Sequence, residues 1–208
     1  LKKLPSRWEN SAAVKTAIAG LAAISLCGCS QRAGSVAPIF EHGAGTGSLG
    51  CVMVAPPVFM SEQEAIAVIR NEAAAAGITL DDTPDSSGLG AKLEASDEAK
   101  KIAVVFISKD DARVTPDGLS ITSYNMKKRA ELTAEKLEGN SGKYHVGVFY
   151  DPGADSDEYN EIIRRYLSAD DRSAAKSQYE EEVKAYHEEN LRAQVKDFIE
   201  WLRGEGII

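Results

Sequence analysis

Histidine is scarce in this chain of 208 residues, and that scarcity removes a class of chemistry at once. His42, His145 and His187 are the whole supply, and they lie far apart. His187-Glu188-Glu189-Asn190-Leu191 opens like the zinc motif H-E-x-x-H, but leucine stands where the second ligand, one helical turn on, is required. His187 therefore reads as a surface or half-buried helix residue. His145, at the edge of an apolar strand, reads as a satisfied core or rim residue. No metal and no other cofactor is expected. Neither a G-x-S-x-G elbow nor a Walker-type loop occurs, so no catalytic constellation is visible. Basic residues are outnumbered 24 to 32, a net charge of −8. Phosphate contacts run on clustered Lys and Arg, which excludes a nucleic-acid partner. Long apolar runs are missing too: Ala17 to Leu26 falls well short of the roughly 20 residues a spanning helix needs.

What is present at the N-terminus is an export layout. Lys2, Lys3, Arg7 and Lys15 make a positive lead, the apolar run from Ala17 follows, and Leu26-Cys27-Gly28-Cys29 closes it. This resembles the lipobox of bacterial lipoproteins, in which Leu, a small residue and Gly, Ala or Ser precede the cysteine that takes the lipid. Leu26, Gly28 and Cys29 fit those positions, while Cys27 stands where Ala, Ser or Thr is usual. The resemblance covers residues 1–29 only. It implies a signal peptide over 1–28, removed in the mature protein, and acyl chains such as palmitate on Cys29. The membrane is then a partner through that lipid, and the location is the bacterial cell envelope. In Gram-negative lipoproteins a serine after the cysteine, here Ser30, goes with the outer membrane. One acyl chain binds reversibly, and two or three anchor stably.

Loss of Lys2, Lys3, Arg7, Lys15 and Glu9 with the signal takes 24 basic and 32 acidic residues to 20 and 31, a net charge of −11. Such a surface gains nothing from anionic headgroups. Cys29 and Cys51 are then the remaining cysteines, and with the first lipidated no internal disulfide can form. Cys51 is an odd free thiol, read first as a small buried hydrophobe and second as a redox or nucleophilic group.

Glycine clusters between residues 29 and 50, which reads as a flexible tether. Gly45-Thr46-Gly47-Ser48-Leu49-Gly50 matches G-x-G-x-x-G, but no strand leads into it and no helix opens after it, so it is not read as a nucleotide loop. Ser61-Glu62-Gln63-Glu64 fits a capping box, with Gly77 as the helix stop. Residues 78–80 start a short strand, and 81–99, with its acids, Pro84, Gly88 and Gly90, reads as a long solvated loop. Ile102 to Ile107 is apolar throughout and reads as a strand covered on both faces. Leu119 to Thr122 reads as an edge strand, Ser123 as the cap of a helix to about Glu138, and Tyr144 to Tyr150 as a second strong strand. Strand, helix and strand imply a parallel crossover. Helices follow at Tyr159 to Leu167 and Arg172 to Arg203, the last with a stripe of Leu191, Val195, Phe198 and Leu202 that Tyr179, Val183 and Tyr186 extend backwards.

The fold expected is therefore α/β: a signal over 1–28, a tether over 29–50, and a single domain over 51–208. That domain combines a small, mainly parallel or mixed sheet, packed helices and a long charged C-terminal helical segment. Asp151, Asp155, Asp157 and Glu161 crowd together, yet the spacing fails the EF-hand register and reads as an acidic helix start. In parallel α/β sheets ligands bind beyond the carboxyl ends of strands. Asp110, Asp111 and Asp151 follow the two best strands and are the candidate ligand-binding residues, with local capping as the alternative. The function expected is a non-catalytic, lipid-anchored binding or assembly factor with an envelope protein as partner. The alternative is a domain or enzyme that takes a small ligand or a cation on those carboxylates.

Overall fold

The structure, a computed structural model, describes residues 34–49, 55, 57–82, 91–114 and 122–208. Cys29 and Cys51 lie outside the described residues. In chain order the elements are β1 (Ser35–Val36), β2 (Thr46–Leu49), α1 (Glu62–Ala75), β3 (Asp81–Asp82), β4 (Ala95–Asp97), β5 (Ile102–Ile107), β6 (Arg113–Val114), β7 (Thr122–Asn125), α2 (Met126–Glu138), β8 (His145–Tyr150), α3 (Asp157–Ser168) and α4 (Arg172–Gly204).

β5 and β8 pair in parallel from Ile102↔His145 to Ile107↔Tyr150, and every residue of both is buried. Side chains alternate across a strand, so one run of apolar residues feeds two cores. Ile102, Val104 and Phe106 join Val68 and Ile69 of α1 and Leu191, Val195, Phe198 and Leu202 of α4. Ala103, Val105 and Ile107 join Met126, Ala130 and Leu137 of α2 on the other face. The result is a sheet between helical layers, in the order β1-β8-β5-β4-β3. β1 and β5 run parallel to β8, while β4 is antiparallel to β5 and β3 to β4. The expected crossover through α2 is there. A second sheet, β2-β7-β6, is antiparallel.

α1 starts where its capping box predicts. The Glu64 amide donates to Ser61 Oγ at 3.2 Å and the Ser61 amide to Glu64 Oε2 at 3.1 Å. α4 is one helix of 33 residues, and its buried stripe is the expected one. Phe198 meets Phe149 edge-on at 5.5 Å. A Cβ on Gly147 would lie 2.9 Å from the Phe149 ring and 3.1 Å from Phe198, so glycine there lets the helix close on β8. α3 packs Tyr159 and Ile162 against Tyr179, Val183 and Tyr186 of α4.

Three expectations are corrected. The Gly-rich tether is, from Gly34 to Leu49, part of the fold: β1 pairs with β8, β2 pairs with β7, and Ala37 is a core residue. Small residues weaken side-chain packing, but the ladder bonds come from the backbone and need none. The loop expected over 81–99 contains β3 and β4, with Ala95, Ser96 and Asp97 buried. The helix expected from Ser123 begins after Asn125, whose Oδ1 accepts from the Lys128 amide at 2.9 Å, because Thr122–Asn125 is held in β7 by β2. Arg32 to Ile208 is one compact unit.

Candidate functional site

Two neighbourhoods of buried charge lie at the carboxyl ends of β8 and β5. The first is centred on Asp151, fully buried just past β8. Its Oδ2 accepts from the Met60 amide at 2.7 Å and its Oδ1 from the Gly153 amide at 2.8 Å. His187 of α4, 1% exposed, brings Nδ1 to 3.2 Å from Oδ1, close enough for an ion pair but outside hydrogen-bond alignment. The other ring nitrogen, Nε2, is 2.9 Å from the Val58 carbonyl oxygen. A carbonyl can only accept, so Nε2 carries a hydrogen. With a hydrogen on Nδ1 as well, the ring faces the carboxylate as a cation; without it, two lone pairs oppose one another.

Val58 is held from its amide too, which donates to Tyr159 Oη at 2.9 Å, and Tyr159 Oη lies 3.4 Å from Tyr179 Oη. Burial pushes the Tyr159, Tyr179 and Tyr186 phenols up from their ordinary range, so they stay neutral. Residues 57–60 are thus strapped to β8, α3 and α4 at once. The Asp-His geometry resembles the orienting half of a catalytic triad, but a backbone carbonyl sits where a nucleophile's hydroxyl would be. Both carboxylate oxygens and Nε2 are committed to the fold. Gln194, about two turns along α4, works alongside: its Oε1 accepts from the Tyr150 amide, and its Nε2 donates to the Tyr150 and His42 carbonyls, each at 3.1 Å.

The second neighbourhood is a cleft of about 750 Å³ between α1 and the β3-β4 edge. Glu94 forms part of its wall with a side chain only 6% exposed. Its Oε2 accepts from the Phe106 amide at 3.0 Å, an edge group of β5 beyond the reach of β4. Its Oε1 is 3.6 Å from Lys92 Nζ, which also touches Glu62 Oε1 at 2.5 Å. Burial raises the Glu94 carboxyl to about 7, against the smaller opposing effects of the Phe106 amide and Lys92. A neighbouring cavity of about 140 Å³ on the α2 side also reaches Glu94, with Asp111, Arg129 and Lys136 in its wall. Arg70 of α1 pairs with Asp82 across the cleft.

Of the residues predicted from sequence, Asp110 and Asp111 are exposed. Asp111 Oδ2 accepts from the Ser108 amide at 2.9 Å and from Ser108 Oγ at 2.6 Å, and the Asp110 amide donates to Ser108 Oγ at 3.2 Å. They shape the turn after β5. Asp151 points into the interior at Met60 and Gly153, so the three do not converge on one crevice. His187, expected at the surface or half-buried, is interior. The signal for it was present: four residues after Val183 and four before Leu191, it lies on the buried stripe, as does Gln194. Glu94 carried no such signal, because its place depends on an antiparallel partner that local sequence does not reveal. His145 is a satisfied core residue as expected, with Nδ1 2.8 Å from Ser35 Oγ.

Among the described residues, no group of three His, Cys, Asp or Glu side chains is placed to hold a metal ion, and no helix is long and apolar enough to cross a membrane. Comparison with protein-family models, with curated proteins and with solved structures finds no match to this chain.

Proposed function

We propose that the chain is a lipid-anchored protein of the bacterial cell envelope that works by binding rather than by turnover. The observation that carries it is Leu26-Cys27-Gly28-Cys29 behind a basic lead and a short apolar run, with Cys29 as the acylated residue. The binding half is supported by how the best acid-base pair is used: Asp151 and His187 spend their hydrogen bonds on Met60, Gly153 and Val58. The net charge of −11 without residues 1–28 leaves membrane attachment to the lipid and turns nucleic acid away.

The test is detergent phase separation of the bacterial product together with its intact mass. Partition into the detergent phase is expected, with a mass that begins at Cys29 and includes acyl chains, and Cys29→Ser moves the protein to the aqueous phase. An aqueous, unacylated product that retains residues 1–28 ends the proposal. The reading in which strand-end carboxylates take a ligand is favoured by one observation, the cleft at Glu94, and that carboxylate differs from those expected.

A further inference from the structure

We infer that the cleft between α1 and the β3-β4 edge is a binding site for a primary ammonium group on a small organic molecule, seated between Glu62 and Glu94. This deepens the binding half of the proposed function and does not depend on the lipid.

The geometry shows the occupant's chemistry through a stand-in. Lys92 Nζ lies between Glu62 Oε1 at 2.5 Å and Glu94 Oε1 at 3.6 Å, so a primary ammonium fits between carboxylates from two different elements. The lysine is itself 68% exposed, and an exposed ion pair of this kind contributes little net stability, so a competing ammonium displaces it at small cost. Glu94 differs from an ordinary surface acid. Its side chain is nine-tenths buried, Oε2 is fixed on the Phe106 amide, and among the described residues Oε1 faces the Lys92 ammonium 3.6 Å away. Ile66, Ala67 and Leu93 also line the cleft and offer the apolar wall that the ligand's carbon chain needs. The cleft's volume of about 750 Å³ leaves room for that chain.

Other occupants fit less well. The two cations of the wall are each already paired, Arg70 with Asp82 and Lys92 with Glu62, against three carboxylates, so an anion meets net repulsion. A calcium ion takes six to eight oxygens, and two carboxylates on opposite walls fall short of that set. Among the described residues, the charged groups around Glu94 are Glu62 and Arg70 of α1, Asp82 of β3, Lys92 beside it, and Asp111, Arg129 and Lys136 across the adjoining cavity. Its own carboxyl is raised to about 7 by burial, so an ammonium is held better as pH rises and Glu94 ionises.

The experiment is an NMR titration of the full chain in non-ionic detergent with butylammonium chloride, and with tetramethylammonium chloride at equal ionic strength. Saturable shifts of the Leu93, Glu94 and Phe106 amides are expected with butylammonium alone, the Phe106 amide reporting directly on Glu94. Affinity should rise between pH 5.5 and pH 8. Lys92→Met should tighten binding roughly tenfold by removing the internal competitor, and Glu94→Gln should weaken it by at least about as much. No saturable shift in either the wild type or Lys92→Met overturns the inference. So does equal binding of tetramethylammonium, or binding unchanged by Glu94→Gln. None of these outcomes touches the acylation of Cys29, which phase separation reads on its own.

Discussion

A carboxylate taken out of water must either be met by donors or hold its proton, and the described residues contain both cases. Asp151 is met: two backbone amides and the His187 ring surround it. Asp151→Asn sets an NH2 against at least one of those donors and strands the imidazole. Loss of a buried partner of this kind costs about 3–5 kcal/mol, so the urea midpoint should fall steeply with the slope unchanged. Glu94 is the opposite case. Burial raises its folded carboxyl to about 7, against 4.5 for an ordinary glutamate. The folded state therefore binds more protons than the unfolded state between those values, and stability falls as pH rises from about 4.5 through 7. Glu94→Gln removes that loss. Chemical denaturation should show the variant gaining on the wild type as pH rises through that window, by up to about 3 kcal/mol at pH 8.5, with the difference vanishing near pH 4.

At the scale of elements, the segment before α1 matters more than its glycines suggest. Gly153, at φ +76°, lies against Thr46, and a Cβ there would sit 2.3 Å from the Thr46 carbonyl oxygen and 2.5 Å from its nitrogen. The Ala154 amide donates to that same carbonyl at 2.7 Å, and the Gly45 amide donates to Pro152 at 2.7 Å. Gly153→Ala combines left-handed strain with a backbone clash. A loss of roughly 2–4 kcal/mol in thermal or urea unfolding is expected, with weakened hydrogen-exchange protection of the Thr46 and Ala154 amides as its local signature. Elements with their own local signal were legible: the Ser61 cap, the apolar strands at 102–107 and 145–150, and the stripe of α4. β1, β2, β3, β4 and β7 were misread or missed because each is two to four residues long and exists through a distant partner. Propensity cannot report such pairing.

For the molecule as a whole, the α/β architecture followed from three segments, Ile102–Ile107, α2 and His145–Tyr150, since an apolar strand, a helix and an apolar strand have few ways to pack. The candidate site was less legible. The rule that ligands gather at carboxyl ends named Asp110, Asp111 and Asp151, but it does not separate acids that serve the fold from an acid in a cleft wall such as Glu94. Asp111 closes its own turn and Asp151 fastens the strap at 57–60, whereas Glu94 arrives from the N-terminal end of β4, which antiparallel pairing brings beside the end of β5.

The pairing of Gly34 and Ser35 with the backbone of residues 142 and 144 also sets a length. If Cys29 is acylated as proposed, five peptide steps would separate the lipid from Gly34, a reach of at most about 18 Å at full stretch. Under the proposed acylation, a leash of that length would hold the folded body close to the headgroups, and a ligand would have to reach it there.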